Sequence, residues 1–206
     1  MEKISKKQKT EHLKRERFFG VVNQVKDIIK DSKKIKLIYR YFKGKLFFKQ
    51  KESSFIYGKA YRCKKVKISH GRGLSMYGNI EKVSFIGNGK IEIGNQVFIN
   101  NGCIFECRQN IKIGNYVKIG YRCLFIDTQS HSIDGLTPPH NSPIIIEDNV
   151  WIASNVTVLT GVTIGKNSVV ATNSLVNKSI PPNCLYGGIP AKLLKSDIYK
   201  SDRPRE

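Results

Sequence analysis

The chain has 206 residues, with 36 Lys and Arg against 16 Asp and Glu, giving a formal charge of +20. That length predicts one domain with a short appendage. No run of about 18 apolar residues occurs, which excludes a predicted transmembrane helix.

The N-terminus, MEKISKKQKTEHLKRER, is charged throughout and lacks the apolar stretch of a signal peptide, so a cytoplasmic protein is expected. The charge is uneven. Residues 1–51 hold 17 Lys/Arg against 5 Asp/Glu, or +12. Among the lysines, Val21, Val25, Ile28 and Ile29, then Leu37, Ile38, Tyr41 and Phe42, fall at roughly helical spacing. Residues 1–55 are therefore predicted as a basic helical extension. Its composition is that of an interfacial helix drawn to anionic lipid, on the inner face of the cell membrane. A solvated helical cap is the alternative. No nucleic-acid motif accompanies the charge, and nucleic acid is not an expected partner.

From residue 93 onwards the rhythm changes to six. The segments IGNQVF, INNGCI and FECRQN are followed, after Ile111 and Lys112, by IGNYVK, IGYRCL and FIDTQS. Residues 131–145 then interrupt the repeat. From Ile146 it resumes as IEDNVW, IASNVT, VLTGVT, IGKNSV, VATNSL and VNKSIP. Every first position in that second run is Ile or Val, the fifth is mostly Val or Ser, and the third and fourth are mostly polar or Gly. Such a hexad is a short strand plus a corner, with Asn and Gly where positive φ is needed. Three make an 18-residue triangular coil, and coils must stack to bury their aliphatic row. Looser pieces near 66 and at 83–94 read as imperfect first coils. Cys103 and Cys123 occupy fifth slots and read as small, reduced core residues. No CxxC or CxxH spacing occurs among the five cysteines, and no metal is expected.

These hexads, with NVWIASNVTVLTGVTIG and the closing LYGGIPAKLLK, resemble the left-handed β-helix (hexapeptide-repeat) acyltransferases, most nearly the galactoside, maltose and polysaccharide O-acetyltransferases. The resemblance covers roughly residues 60–195. It implies an all-β solenoid, a left-handed parallel β-helix, over residues 56–195 with a loop at 131–145 and a tail at 196–206. It also implies acetyl-CoA as acyl donor and a homotrimer with active sites between neighbouring helices. The expected acceptor is a sugar hydroxyl of a bacterial surface polysaccharide (capsule or O-antigen) or of its lipid-linked precursor. Rival readings are acetylation of a free sugar or antibiotic, N-acetylation of a nucleotide sugar or serine, and a non-catalytic scaffold.

Acetyl transfer to a hydroxyl needs a base. Of the four histidines, His12 lies in the charged N-terminus, His70 in an early irregular turn, and His140 at the expected tip of a loop. His131 stands where the repeat breaks, which places it for a cleft, and it matches the position of the family's catalytic base. His140 is its competitor. Asp127, Glu106 and Asp134 are candidate partners to orient the imidazole, Asp127 being nearest in sequence. Trp151 is too large for the core side of its hexad and is expected to point outward, against an acceptor sugar or the thioester. The resemblance further implies Asn100 as an acceptor contact, Ser154 and the preceding Ala153 beside the thioester, and Thr172, Asn177, Lys178 and Lys192 along the coenzyme groove. Relatives carry Gly at position 153 and Arg at 192, where Lys keeps the charge without the bidentate fork.

Overall fold

The computed structural model describes residues 32–48, 53–132, 135–136 and 138–198. His12, the first apolar set from Val21 to Ile29, Asp134 and the end of the C-terminal tail lie outside the described residues. The chain opens with helix α1 (Ser32–Phe48), followed by β1 (Ser54–Arg62), β2 (Lys67–His70), β3 (Leu74–Gly87) and β4 (Lys90–Ile93). Next come β5 (Phe98–Ile99), β6 (Ile104–Cys107), β7 (Asn110–Ile113), β8 (Lys118–Ile119) and β9 (Leu124–Ile126). A short pair, β10 (Thr128–Gln129) and β11 (His140–Asn141), precedes β12 (Ile144–Ile146), β13 (Trp151–Ile152), β14 (Thr157–Val158) and β15 (Thr163–Ile164). The chain closes with β16 (Val169–Val170), β17 (Leu175–Val176), β18 (Leu185–Gly187) and β19 (Lys192–Lys195).

These strands stack in parallel on the three faces of a prism. The first face runs from the N-terminal half of β3 through β5, β8, β13 and β16 to β18. The second takes the C-terminal half of β3, then β6, β9, β14 and β17. The third is the order β2-β4-β7-β12-β15. The hexad slots explain the corners. First-slot residues such as Ile146, Ile152, Val158 and Ile164 are buried, as are fifth-slot Val150, Val156, Val162 and Ser168. The fourth slot takes the left-handed conformation, with φ of 59°, 56°, 63° and 59° at Asn149, Asn155, Asn167 and Asn173, a region Asn tolerates better than other non-glycine residues. Two of these asparagines continue as a ladder, Asn149 Nδ2 donating to Asn167 Oδ1 and Asn167 Nδ2 to Asn183 Oδ1, both at 2.9 Å.

The core is one column of stacked side chains. Phe85, Phe105 and Phe125, all fully buried, stack with centroids 5.1 and 4.7 Å apart along the second face. Each such ring contributes on the order of 2 kcal/mol by leaving water. Ile111 and Lys112, the two residues that fall between hexads, extend β7 to four residues. Because the strand period is two, Ile111 and Ile113 both point inward, so the insertion keeps phase. Cys103, Cys107, Cys123 and Cys184 are buried and, with half-buried Cys63, free.

α1 packs on β1 at the start of the prism. Phe48 is buried, Arg40 lies over the Tyr57 ring at 4.3 Å, and the Lys43 ammonium donates to the Gly58 carbonyl. Gly44 is required there, since a Cβ would come within 2.3 Å of the Ser54 carbonyl oxygen. His70 corrects the expectation of an irregular turn. It ends β2 on the inward side of the Ile68–His70 alternation, 6% exposed, and its ring meets Phe48 edge-on at 4.6 Å. At the other end of the prism, β19 turns back antiparallel on β18.

Candidate functional site

A cleft of about 450 Å³ lies on the first face, at its corner with the second. Five of the residues singled out from the sequence line it: Asn100, Trp151, Ala153, Ser154 and Thr172. Phe98, Lys118, Ile119, Gly120 and Tyr121 complete it, and these sequence reasoning missed. Their signal was available, because Phe98, Lys118 and Trp151 are the sixth residues of IGNQVF, IGNYVK and IEDNVW. Strand register places them in one row, Phe98 beside Lys118 and Lys118 beside Trp151. Trp151 points outward as expected and is 48% exposed.

The cleft presents donors. Asn100 Oδ1 is taken by the N–H and side-chain amide of Asn101, both at 2.9 Å, which leaves its NH2 for the cleft. The N–H groups of Ala153 and Asn155 donate to Val170 and Tyr121 carbonyls, whereas the Ser154 N–H is unused by the strand ladder. Gly120 makes the floor, where a Cβ would stand 2.7 Å from the carbonyl carbon of Ala153. No carboxylate lines the cleft.

His131 is elsewhere. The excursion that begins after β9 leaves the prism at the corner between the second and third faces, and the chain rejoins at β12. One face, roughly 15 Å at about 3.3 Å per residue, separates that corner from the cleft. Asn177 and Lys178 follow β17 and stand at the same corner as His131 two coils along, exposed. Lys192 is exposed on β19, opposite Gly187. The sequence-predicted residues thus fall into two groups on one chain, and the chain does not bring them together.

The excursion also corrects the place of His140. It is not at a loop tip but in β11, paired across an antiparallel ladder with Gln129 of β10. His131 and His140 are both exposed near the base of the excursion. Thr160 ties that base down, its hydroxyl donating to the Asp127 carbonyl at 2.9 Å and accepting from the Ser142 N–H at 2.9 Å.

Asp127 is fully buried. Its Oδ1 accepts from the Arg108 N–H at 2.6 Å, and its Oδ2 from the Gln109 N–H at 2.9 Å and the Cys107 thiol at 3.3 Å. The carboxylate satisfies the corner of the coil below and does not hold the His131 imidazole. Glu106, the other described candidate, lies 3.9 Å from the Arg108 guanidinium. Burial, then the Asp127 charge, push the Cys107 thiol up to about 12.

Residues 143–178 match the family described as bacterial transferase hexapeptide (six repeats). A 71-residue stretch is 38% identical to a 2,3,4,5-tetrahydropyridine-2,6-dicarboxylate N-acetyltransferase of Staphylococcus aureus (strain JH9), covering 34% of this chain. The match spans 30% of that curated relative's length. Among solved structures, the polySia specific acetyltransferase NeuO is 22% identical, with TM-score 0.50, over 73% of this chain and 88% of its own. AntD, an N-acyltransferase from Bacillus cereus solved with dTDP and 3-hydroxybutyryl-CoA, is 16% identical, with TM-score 0.57, over 69% and 79%. At these identities the structural likeness is one of fold. Residues 143–178 thus carry the hexapeptide repeat, and the prism has the fold of a left-handed parallel β-helix.

Proposed function

We propose that the protein is an acetyl-CoA-dependent O-acetyltransferase acting on a sugar hydroxyl of a bacterial surface polysaccharide, capsule or O-antigen, or of its precursor. The observation that carries this reading is the division of the site residues between two corners of one prism. In a closed ring of copies with head-to-tail contacts, the His131 corner of one protomer faces the Asn100–Ser154 cleft of the next. The resemblance to the hexapeptide-repeat acyltransferases makes that ring a homotrimer, in which each active site is shared.

In that site a neutral His131 takes the proton of the acceptor hydroxyl as its oxygen attacks the thioester carbonyl. The Ser154 N–H, unused in the ladder, donates to the oxyanion of the tetrahedral intermediate. Collapse expels the coenzyme thiolate, which recovers the proton from His131. Asn100 and Trp151 hold the sugar. Thr172, Asn177, Lys178 and Lys192 follow the coenzyme, the lysines as point charges toward its phosphates. Asp127 is a positioning residue, fixing the corner from which the excursion departs.

The names of the similar proteins support acyl transfer, and NeuO's name a polysaccharide acceptor. The exposed α1 row of Ile38, Phe42 and Leu46 on a basic helix supports docking at the cytoplasmic face of an anionic membrane, where lipid-linked glycans are presented. One second reading, transfer to an amino sugar, is favoured by AntD, an N-acyltransferase also solved, as its S84C mutant, with dTDP-4-amino-4,6-dideoxyglucose and coenzyme A. Thiol release from acetyl-CoA, measured with and without cell-surface glycan extract, tests the proposal. Acceptor-dependent release with an alkali-labile product is expected. An alkali-stable amide product favours the second reading, and no release with any acceptor removes both.

A further inference from the structure

The Ser154 N–H, which the transferase reading above assigns to the oxyanion, is backed from inside the prism. That N–H and the Ala153 carbonyl belong to one trans peptide plane, in which the two groups point opposite ways. The Cys123 thiol, fully buried, donates to the Ala153 carbonyl at 3.0 Å. The carbonyl is thus turned inward, and the N–H outward toward the cleft that Ala153 and Ser154 line.

The coil below repeats the arrangement and shows where such an N–H goes. Cys103, also fully buried, donates to the Gly120 carbonyl at 3.1 Å. The N–H of the same plane is that of Tyr121, and it reaches across the cleft wall to Ser154 Oγ at 3.2 Å. In both coils a fifth-slot side chain holds the second-slot carbonyl of the coil above. A hydroxyl does the same elsewhere, Ser168 Oγ donating to the Pro181 carbonyl at 2.7 Å. Packing alone does not call for a donor in the fifth slot. At the corner between the third and first faces, the coils of Cys103 and Cys123 carry buried Val97 and Val117. The thiols stand at the corner that bears the cleft.

We propose that Cys123 is a positioning residue for acetyl transfer, its thiol locking the Ala153–Ser154 peptide so that the Ser154 N–H is already aimed where the oxyanion forms. A donor fixed in advance stabilises the developing charge without reorganising during the reaction. Cys123 touches neither substrate and acts through Ser154.

The test uses the full-length protein as wild type, Cys123→Val, Cys123→Ala and Cys123→Ser. Three quantities are read: melting temperature, kcat and acetyl-CoA KM for thiol release with glycan extract, and the order parameter of the Ser154 amide by 15N relaxation. Cys123→Val and Cys123→Ala should lower kcat about three- to tenfold, the effect of one neutral hydrogen bond, with KM little changed. Their Ser154 order parameter should fall. Cys123→Ser, which keeps a donor, should retain most of both. Unchanged kcat in Cys123→Val and Cys123→Ala, or a loss that only follows the folded fraction, would overturn the proposal. So would a Cys123→Ser protein as slow as Cys123→Val. A wild type without thiol release, but with Ser154 order lost in Cys123→Val and kept in Cys123→Ser, would sustain the peptide lock while removing the transferase reading. An active wild type whose kcat and Ser154 order ignore all three substitutions would do the reverse.

Discussion

Gln129 and His140 face each other across a two-residue antiparallel ladder, and His131 follows that ladder's first strand by two residues. Two histidines nine residues apart therefore share the base of one excursion, but they differ in how they are held. His140 sits within a hydrogen-bonded strand, whereas His131 lies just past the end of one, exposed to whatever the excursion meets. If His131 is the base, His131→Ala should lower acceptor-dependent acetyl transfer by about 100-fold or more. His140→Ala, whose pairing is made by backbone, should lower it by about tenfold or less. Initial rates of thiol release decide between them, and a reversed ranking would move the base to His140.

The split between the two corners predicts complementation. His131→Ala leaves the Ser154 cleft intact, and Ser154→Trp, which fills the cleft, leaves the His131 corner intact. Each variant alone should be inactive. Co-expressed in equal amounts as a ring with shared sites, they should recover about a quarter of wild-type turnover, because one contact in four pairs the two intact halves. Recovery near zero would mean that the site is built within a single chain.

The buried Asp127 carboxylate receives two backbone N–H groups and one thiol. Asp127→Ala strands those donors and should cost about 2–4 kcal/mol in chemical denaturation, with turnover falling in proportion to folded protein or further. Cys107 adds a pH dependence of known sign. Its thiol is pushed up to about 12 in the folded chain, against about 8.5 when unfolded. The unfolded chain therefore loses this proton first, and stability contributed by the neutral thiol falls as pH rises from about 9 towards 12. Cys107→Ser should flatten that alkaline loss. In the native protein at pH 8, alkylation should mark half-buried Cys63 well before Cys103, Cys107 or Cys123.

On α1 the exposed row of Ile38, Phe42 and Leu46, at 40, 60 and 78% exposure, can be altered without touching buried Phe48. Wild type should float with vesicles containing about one quarter anionic lipid and not with neutral ones. The Ile38→Glu/Phe42→Glu double variant should stay at the bottom while melting at the same temperature. Equal flotation of the two proteins would detach the helix from any lipid role.

How much of this the sequence disclosed depends on the physics of each slot. The corner asparagines and the buried first and fifth positions were legible because a six-residue period with fixed chemistry admits one reading. The row of Phe98, Lys118 and Trp151 was equally legible but calls for comparing hexads twenty and thirty-three residues apart. Asp127 follows inward-facing Phe125 by two, so alternation already turned it inside; what could not be read was which donors would receive it. The β10–β11 ladder was hidden, since Thr128, Gln129, His140 and Asn141 carry no apolar alternation and their pairing is all backbone. His70 was misread because a histidine in KISH looks polar, although Val66 and Ile68 set an alternation that buries it.

A stack of parallel coils is a fold without a natural length. Each terminal coil presents a fresh strand edge that another chain could lengthen indefinitely. Here α1 lies against the first edge. At the last, β18 is closed by β19, whose lysines at 192 and 195 are poor templates for another strand. Shorn of the β19 return, the protein should be less a weakened monomer than the seed of a filament, growing end to end from its exposed β18 coil.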